Sequence, residues 1–180
     1  MTGIAPKTDG LCPMTEVQID QTRAFVETLK SEMGAQTYWD MVTVGDVLSR
    51  ELTITPEVVI LYADAVEDYN SWYEGWRMNT WRIEGQSPFG PAIVPPLMMS
   101  HFVLSVQFDH TKPFAIGSIH TYHDTELIAP IPVGATVRIT ATAIDKFEKR
   151  GRRYVRHEVL VADAATGSPF MKEVRDILSM

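Results

Sequence analysis

Two side chains that handle protons or hold turns stand two residues apart at Asp68 and Asn70, inside Glu67-Asp68-Tyr69-Asn70-Ser71-Trp72-Tyr73. Such a pair serves acid–base chemistry when a substrate is at hand, and serves an Asx-type turn when none is. Tyr73 adds a phenol, a poor base at neutral pH but a usable proton donor. His101 lies in an apolar stretch, where a histidine is either a satisfied core or interface group or a reserve acid/base. His120 and His123 are three residues apart; on a regular strand they point to opposite faces, so one metal ion is not expected to bind both. No metal site is expected.

These residues need elements to position them. Thr55-Pro56-Glu57 has a helix start, with threonine at the cap and proline in the first turn. Val58, Leu61, Tyr62, Ala65 and Val66 then follow a helical stripe that predicts an end near Glu67, leaving Asp68 and Asn70 just beyond. Trp72, Tyr73, Trp76 and Trp81 make an aromatic loop, either a packed flap or a hydrophobic wall for a large acyl group. A Gly/Pro turn at 87–94 leads into Pro95–Phe108, apolar nearly all round, which predicts a helix buried on most faces. Extended pieces are expected at Val42–Asp46 and Glu51–Ile54. Longer strands are expected at Ser118–Ile128, Ala135–Ile144, Arg153–Ala162 and Pro169–Leu178, with turns at Arg150-Gly151 and Thr166-Gly167. The pattern by itself gives an α+β domain.

At the N-terminus, 1–14 reads as a mobile arm, and Thr15-Glu16-Val17-Gln18 opens an accessory helix over 15–34. Residues 15–180 are expected to form a single domain. The 180 residues carry 16 basic and 23 acidic side chains, for a net charge of −7. That balance argues against nucleic-acid binding. The lone Cys12 cannot form an internal disulfide, and no apolar run is long enough to span a bilayer, so a cytoplasmic protein is expected. The one basic cluster, Lys146–Arg153, is either a solvated hairpin or a contact for a coenzyme A phosphate or a carrier-protein acidic helix. A Gly-rich phosphate loop, a Gly-x-Ser-x-Gly elbow and Cys/His metal spacing are all absent from the sequence.

Taken together, the Asp68-x-Asn70 loop, the turn Phe89-Gly90-Pro91-Ala92-Ile93-Val94-Pro95-Pro96 and the segment Ala129-Pro130-Ile131-Pro132-Val133-Gly134-Ala135 resemble the MaoC-like hydratase/dehydratase family, in the branch of the N-terminal MaoC dehydratase domain. The resemblance covers roughly 42–178. It departs at Glu67, where the family has glycine, at Tyr73, where it has histidine, and at Pro96, near a family glycine. It implies a single hotdog, an antiparallel sheet wrapped around the central helix, acting without a cofactor as a hydro-lyase on a β-hydroxyacyl or enoyl thioester or a related β-hydroxy carbonyl compound, in fatty-acid metabolism or a specialised biosynthetic pathway. It also implies Asp68, Asn70, Tyr73 and His101 as catalytic residues, and Trp72, Trp76, Val94, Leu97 and His120 against substrate. Because Pro96 has no N–H, an oxyanion donor must come from Leu97 or beyond. The expected assembly is a homodimer or a pair with another hotdog subunit. The alternatives are a catalytically silent subunit of an active pair and a thioester-binding or hydrolysing hotdog.

Overall fold

The computed structural model describes residues 37–68, 70, 72, 87–110 and 118–179, with backbone only over 107–110, together with Ala24, which is helical. The chain divides into two compact units, residues 1–35 and 36–180. The expected arm 1–14 and helix 15–34 belong to the first unit and, Ala24 apart, lie outside the described residues, as do Tyr73, Trp76 and Trp81.

In the second unit the alternating segments become one antiparallel sheet. Its strands are β1 (Val47–Thr53), β2 (Ser118–Leu127), β3 (Thr136–Lys149), β4 (Arg152–Asp163) and β5 (Pro169–Ser179), in the spatial order β1-β3-β4-β5-β2. Helices α1 (Tyr38–Met41), α2 (Pro56–Val66) and α3 (Met98–His110) accompany it. Alternation on β3 and β4 sends Val137, Ile139, Ala141, Val159 and Val161 to one face, where they pack with Met98, Met99, Val103 and Val106 of α3 and Val59 of α2. Burial of that face and of the helix stripe drives the fold, at about 25 cal/mol per Å² of apolar surface removed from water. The expected layout, a central apolar helix on an antiparallel sheet, is what forms.

Three local expectations change. Val42–Asp46 is a turn, because Asp46 Oδ2 accepts the Thr43 amide at 2.7 Å and Gly45 sits at φ +98°. Ahead of it, α1 forms around a cap in which the Thr37 amide and hydroxyl both donate to Asp40 Oδ2, at 3.0 and 2.8 Å. Strand β3 runs on past Ile144 to Lys149, since a bulge between Ala143 and Asp145 resets the alternation without ending the ladder. The hairpin then closes on Arg150 (φ 54°) and Gly151 (φ 69°), the paired left-handed residues of a type I′ turn.

Where the sheet passes α1, its inner face becomes polar. Arg175 and Glu173 of β5 form a buried ion pair, both side chains being 0% exposed. Glu173 Oε2 accepts the Ser100 hydroxyl at 2.8 Å, and Arg175 Nη2 donates to the Ser100 carbonyl at 3.0 Å. Beside them, buried His157 shares a 3.2 Å hydrogen bond with the Tyr38 hydroxyl. Burial, and then the Arg175 charge, push the His157 pKa down to about 4. Folded His157 therefore stays neutral between about pH 6.5 and 4, while in the unfolded chain it takes up a proton as pH falls through 6.5. Its contribution is complete above 6.5 and is lost toward 4. The unfolding free energy from urea titrations should fall over this window by up to about 3 kcal/mol. In His157→Gln that part of the slope should vanish; an unchanged slope would contradict this assignment.

Candidate active site

Helix α2 ends as its sequence predicts. Glu67 adopts φ 55° at the C-cap, and the Asp68 amide donates to the Ala63 carbonyl at 2.9 Å. Asp68 is thereby held next to Tyr62, whose pKa is raised by burial first and by the Asp68 charge second. The Tyr62 hydroxyl in turn shares a 3.1 Å hydrogen bond with His101 Nδ1, the two rings lying 5.6 Å apart. His101 is exposed on α3, so it is not a core histidine, and its partner is Tyr62. Tyr62 was legible in the sequence only as a member of the apolar stripe on α2. Its hydroxyl on that stripe was the available signal.

Asn70 closes a turn: its Oδ1 accepts the Trp72 amide at 3.0 Å. Trp72 is latched from the other side as well, because its carbonyl accepts the Ile93 amide at 2.9 Å. The Trp72 ring meets Phe89 edge-on at 6.0 Å. Phe89 is presented by a turn in which Ser87 Oγ accepts the Phe89 amide at 3.2 Å and Gly90 takes φ +91°.

An apolar cavity of about 350 Å³ opens against this turn, lined by Trp72, Phe89, Val94, Pro96, Ile128 and Phe170 among others. The two proline-rich segments meet at its wall, where Val94 donates to the Ile131 carbonyl at 2.8 Å and Val133 to that of Ala92 at 2.9 Å. Expected substrate contacts Trp72 and Val94 line the cavity. Leu97 does not line it; it is exposed one turn before His101 on α3. At the start of α3 the Met98 and Ser100 amides donate to the carbonyls of Pro95 and Leu97, at 3.0 and 3.2 Å.

His120 stands elsewhere, on the edge strand β2. A bulge between His120 and Tyr122 turns His120 and His123 to the same face, where their rings stack 5.2 Å apart. The expectation of opposite faces fails because alternation holds only while the register is unbroken. Burial and the nearby Arg175 charge lower the His120 pKa. Among the described residues no three His, Cys, Asp or Glu side chains gather as metal ligands, and no helix is long and apolar enough to cross a membrane.

A five-stranded antiparallel sheet in this order around a central helix is a hotdog fold. No family model and no curated protein matches the chain. Solved structures do. The unliganded R-hydratase PhaJ1 from Pseudomonas aeruginosa superposes with a TM-score of 0.62 at 15% identity, covering 78% of this chain and 84% of its own. The ChsH1-ChsH2 complex from Mycobacterium tuberculosis gives 0.61 at 14%, covering 78% and 100%. A MaoC-like dehydratase from Rhodospirillum rubrum gives 0.59 at 12%, covering 80% and 96%. The chain thus has the hotdog fold of the MaoC-like dehydratases and (R)-hydratases.

The Asn70 turn makes a local claim. Asn70→Ala removes the acceptor for the Trp72 amide, at a cost of about 1 kcal/mol. Hydrogen exchange at Trp72 should speed up while the amides of β3 and β4 keep their protection. Unchanged exchange at Trp72 would show that the turn stands without Asn70.

Proposed function

We propose that the protein is a hydro-lyase that adds water to, or removes it from, an enoyl or β-hydroxyacyl thioester carried by coenzyme A or a carrier protein. The observation that carries this reading is the Tyr62–His101 hydrogen bond with the Asp68 charge acting on Tyr62; an apolar cavity lined by Trp72 and by Pro96, two residues ahead of α3, accompanies it. The likeness to an R-hydratase and a MaoC-like dehydratase supports it.

In the hydration direction, Asp68 takes a proton from the water whose oxygen bonds to the β-carbon. His101, its Nδ1 held by Tyr62, delivers a proton from Nε2 to the α-carbon, and the double bond becomes single. Dehydration runs the same steps backwards. The Leu97 amide, just ahead of α3, receives the thioester oxygen as negative charge develops on it, the task that Pro96 cannot perform. Trp72 and Val94 hold the acyl chain. Asn70 keeps Trp72 and the loop in place, while Tyr73, Trp76 and His120 are further candidates for donor and substrate contacts.

A second hotdog subunit completes the assembly in this proposal. Strand β2 is an edge whose side chains are exposed on both faces over most of its length, Ile119, Tyr122 and Leu127 among them. Such an edge is a template for pairing. A silent subunit that depends on an active partner is the second reading, favoured by the likeness to a two-protein complex and by the turn that occupies the Asn70 carbonyl.

Loss of the conjugated enoyl absorbance with crotonyl-CoA and bulkier enoyl thioesters tests the reading. Asp68→Asn should lower kcat by about 100-fold or more, and Tyr62→Phe by about tenfold with a shifted pH profile and little change in KM. Equal turnover in the parent protein and Asp68→Asn would remove Asp68 from the chemistry. No turnover with any thioester, together with a co-purifying hotdog that is active, would select the silent-subunit reading.

A further inference from the structure

The outer face of the sheet, away from α3, holds a second cavity, of about 470 Å³, between the edge strand β2 and the tip of the β3–β4 hairpin. One wall is aromatic. Phe147 and Tyr154 face each other across β3 and β4 with rings nearly parallel, 5.1 Å apart and 5° from coplanar. Tyr122, about half exposed, forms the opposite wall on β2. Between the walls lies Arg156, whose guanidinium grips both Asp176 carboxylate oxygens at 2.7 and 2.8 Å and lies 5.0 Å from the centre of the Phe147 ring. This pair neutralises the Asp176 carboxylate and fixes the cavity floor.

Cations remain in excess at the rim. Lys149 and Arg150 line the cavity and have no ion-pair partner among the described residues. Lys149 is also directly opposite Arg152 in the ladder, a like-charge pair that weakens a hairpin unless something anionic lies near it. Glu148 is engaged with Arg153. Asp145 acts on Arg156 rather than on the tip. The whole chain carries −7, which repels a long polyanion, whereas this local excess suits a small one.

We infer that this cleft is a binding site for a nucleoside phosphate: the base enters between Tyr122 and the Phe147–Tyr154 wall, and the phosphate meets Lys149 and Arg150. A ring recognised by rings and an anion recognised by unpaired cations are the two halves of such a ligand, and the volume falls in the range of small-molecule sites. The site is on the face of the sheet opposite α3, and its assignment does not rest on the hydro-lyase reading. The ligand has two possible sources, the nucleotide end of coenzyme A and a free nucleotide.

Titration with adenosine 3′,5′-bisphosphate, followed by amide shifts in the NMR spectrum, tests the site. Saturable shifts are expected at Tyr122, Phe147 and 149–154. Affinity should exceed that of adenosine or inorganic phosphate alone and should fall as salt rises. Lys149→Gln/Arg150→Asn should weaken it about tenfold with an unchanged melting temperature, asparagine being at ease in the left-handed position that Arg150 occupies. Equal binding of inorganic phosphate, absence of saturable shifts, or full affinity in the double variant would each overturn the proposal. If coenzyme A binds at least as well as the bisphosphate, the nucleotide is that of a thioester carrier. If it does not bind while the bisphosphate does, a free nucleotide is the ligand.

Discussion

The grip of the buried Glu173–Arg175 pair on Ser100 sets the geometry on which the rest depends. Removing two charges from water costs several kcal/mol for each, so the pair is justified less by net stability than by what it fixes. Both charged groups reach the same residue near the start of α3, one through its hydroxyl and the other through its carbonyl. A helix held only by methionine and valine side chains can slide or rotate by fractions of a turn at low cost. One that must also satisfy a buried carboxylate and guanidinium cannot. With Ser100 directed at the sheet, His101, about 100° further round the helix, is directed at Tyr62. Pro96, ahead of α3, then comes to the cavity wall.

The two faces of the sheet have different work. The inner face is apolar beneath most of α3 and polar beyond it, where His157, Glu173 and Arg175 meet Tyr38. Short helix α1 covers that end. Lys146 secures it from β3 by donating to the carbonyls of Trp39 and Val42 at 2.6 and 2.9 Å, with its ammonium 4.5 Å from the centre of the Trp39 ring. Lys146 is therefore a structural member of the basic segment that stood out in the sequence, while Lys149 and Arg150 remain available to ligands. The bulge at Ala143 and Asp145 divides these tasks: it shifts the alternation so that Lys146 is turned inward and Phe147 outward.

Much of the fold was legible because long strands with one buried face must alternate, and because paired left-handed turns announce themselves through glycine. What was not legible depends on register and on distance along the chain. Bulges at Ala143/Asp145 and His120/Tyr122 arise from pairing with a neighbour and leave the local composition unchanged. The polar inner positions of β5, Glu173 and Arg175, look like solvent-facing residues until Ser100, 73 residues away for Glu173, supplies their partner. Helix α1, four residues long, has no periodicity to detect. At the site, the end of α2 and the position of Asp68 followed from the apolar stripe, and the bland use of Asn70 as a turn former is the one its contacts exhibit. The Tyr62–His101 bond joins residues 39 apart, and no local rule pairs them.

That bond bears on how a loop without the family's histidine could still move two protons. A carboxylate that takes a proton from water can hand it to the neighbouring carbon only where it reaches both. A second group at a different angle removes that constraint, and a loop of a few residues has little room to provide both rigidly. In the proposed reaction the second group is His101 on α3, whose orientation is fixed by β5, and a phenol from α2 holds its imidazole by the ring nitrogen. Both helices belong to the same core, through Val59 on α2 and Met98, Met99 and Val103 on α3. In the proposed reaction the imidazole is thus placed by core packing and the carboxylate by the end of α2, which is the stiffness that acid–base chemistry at two adjacent carbons requires.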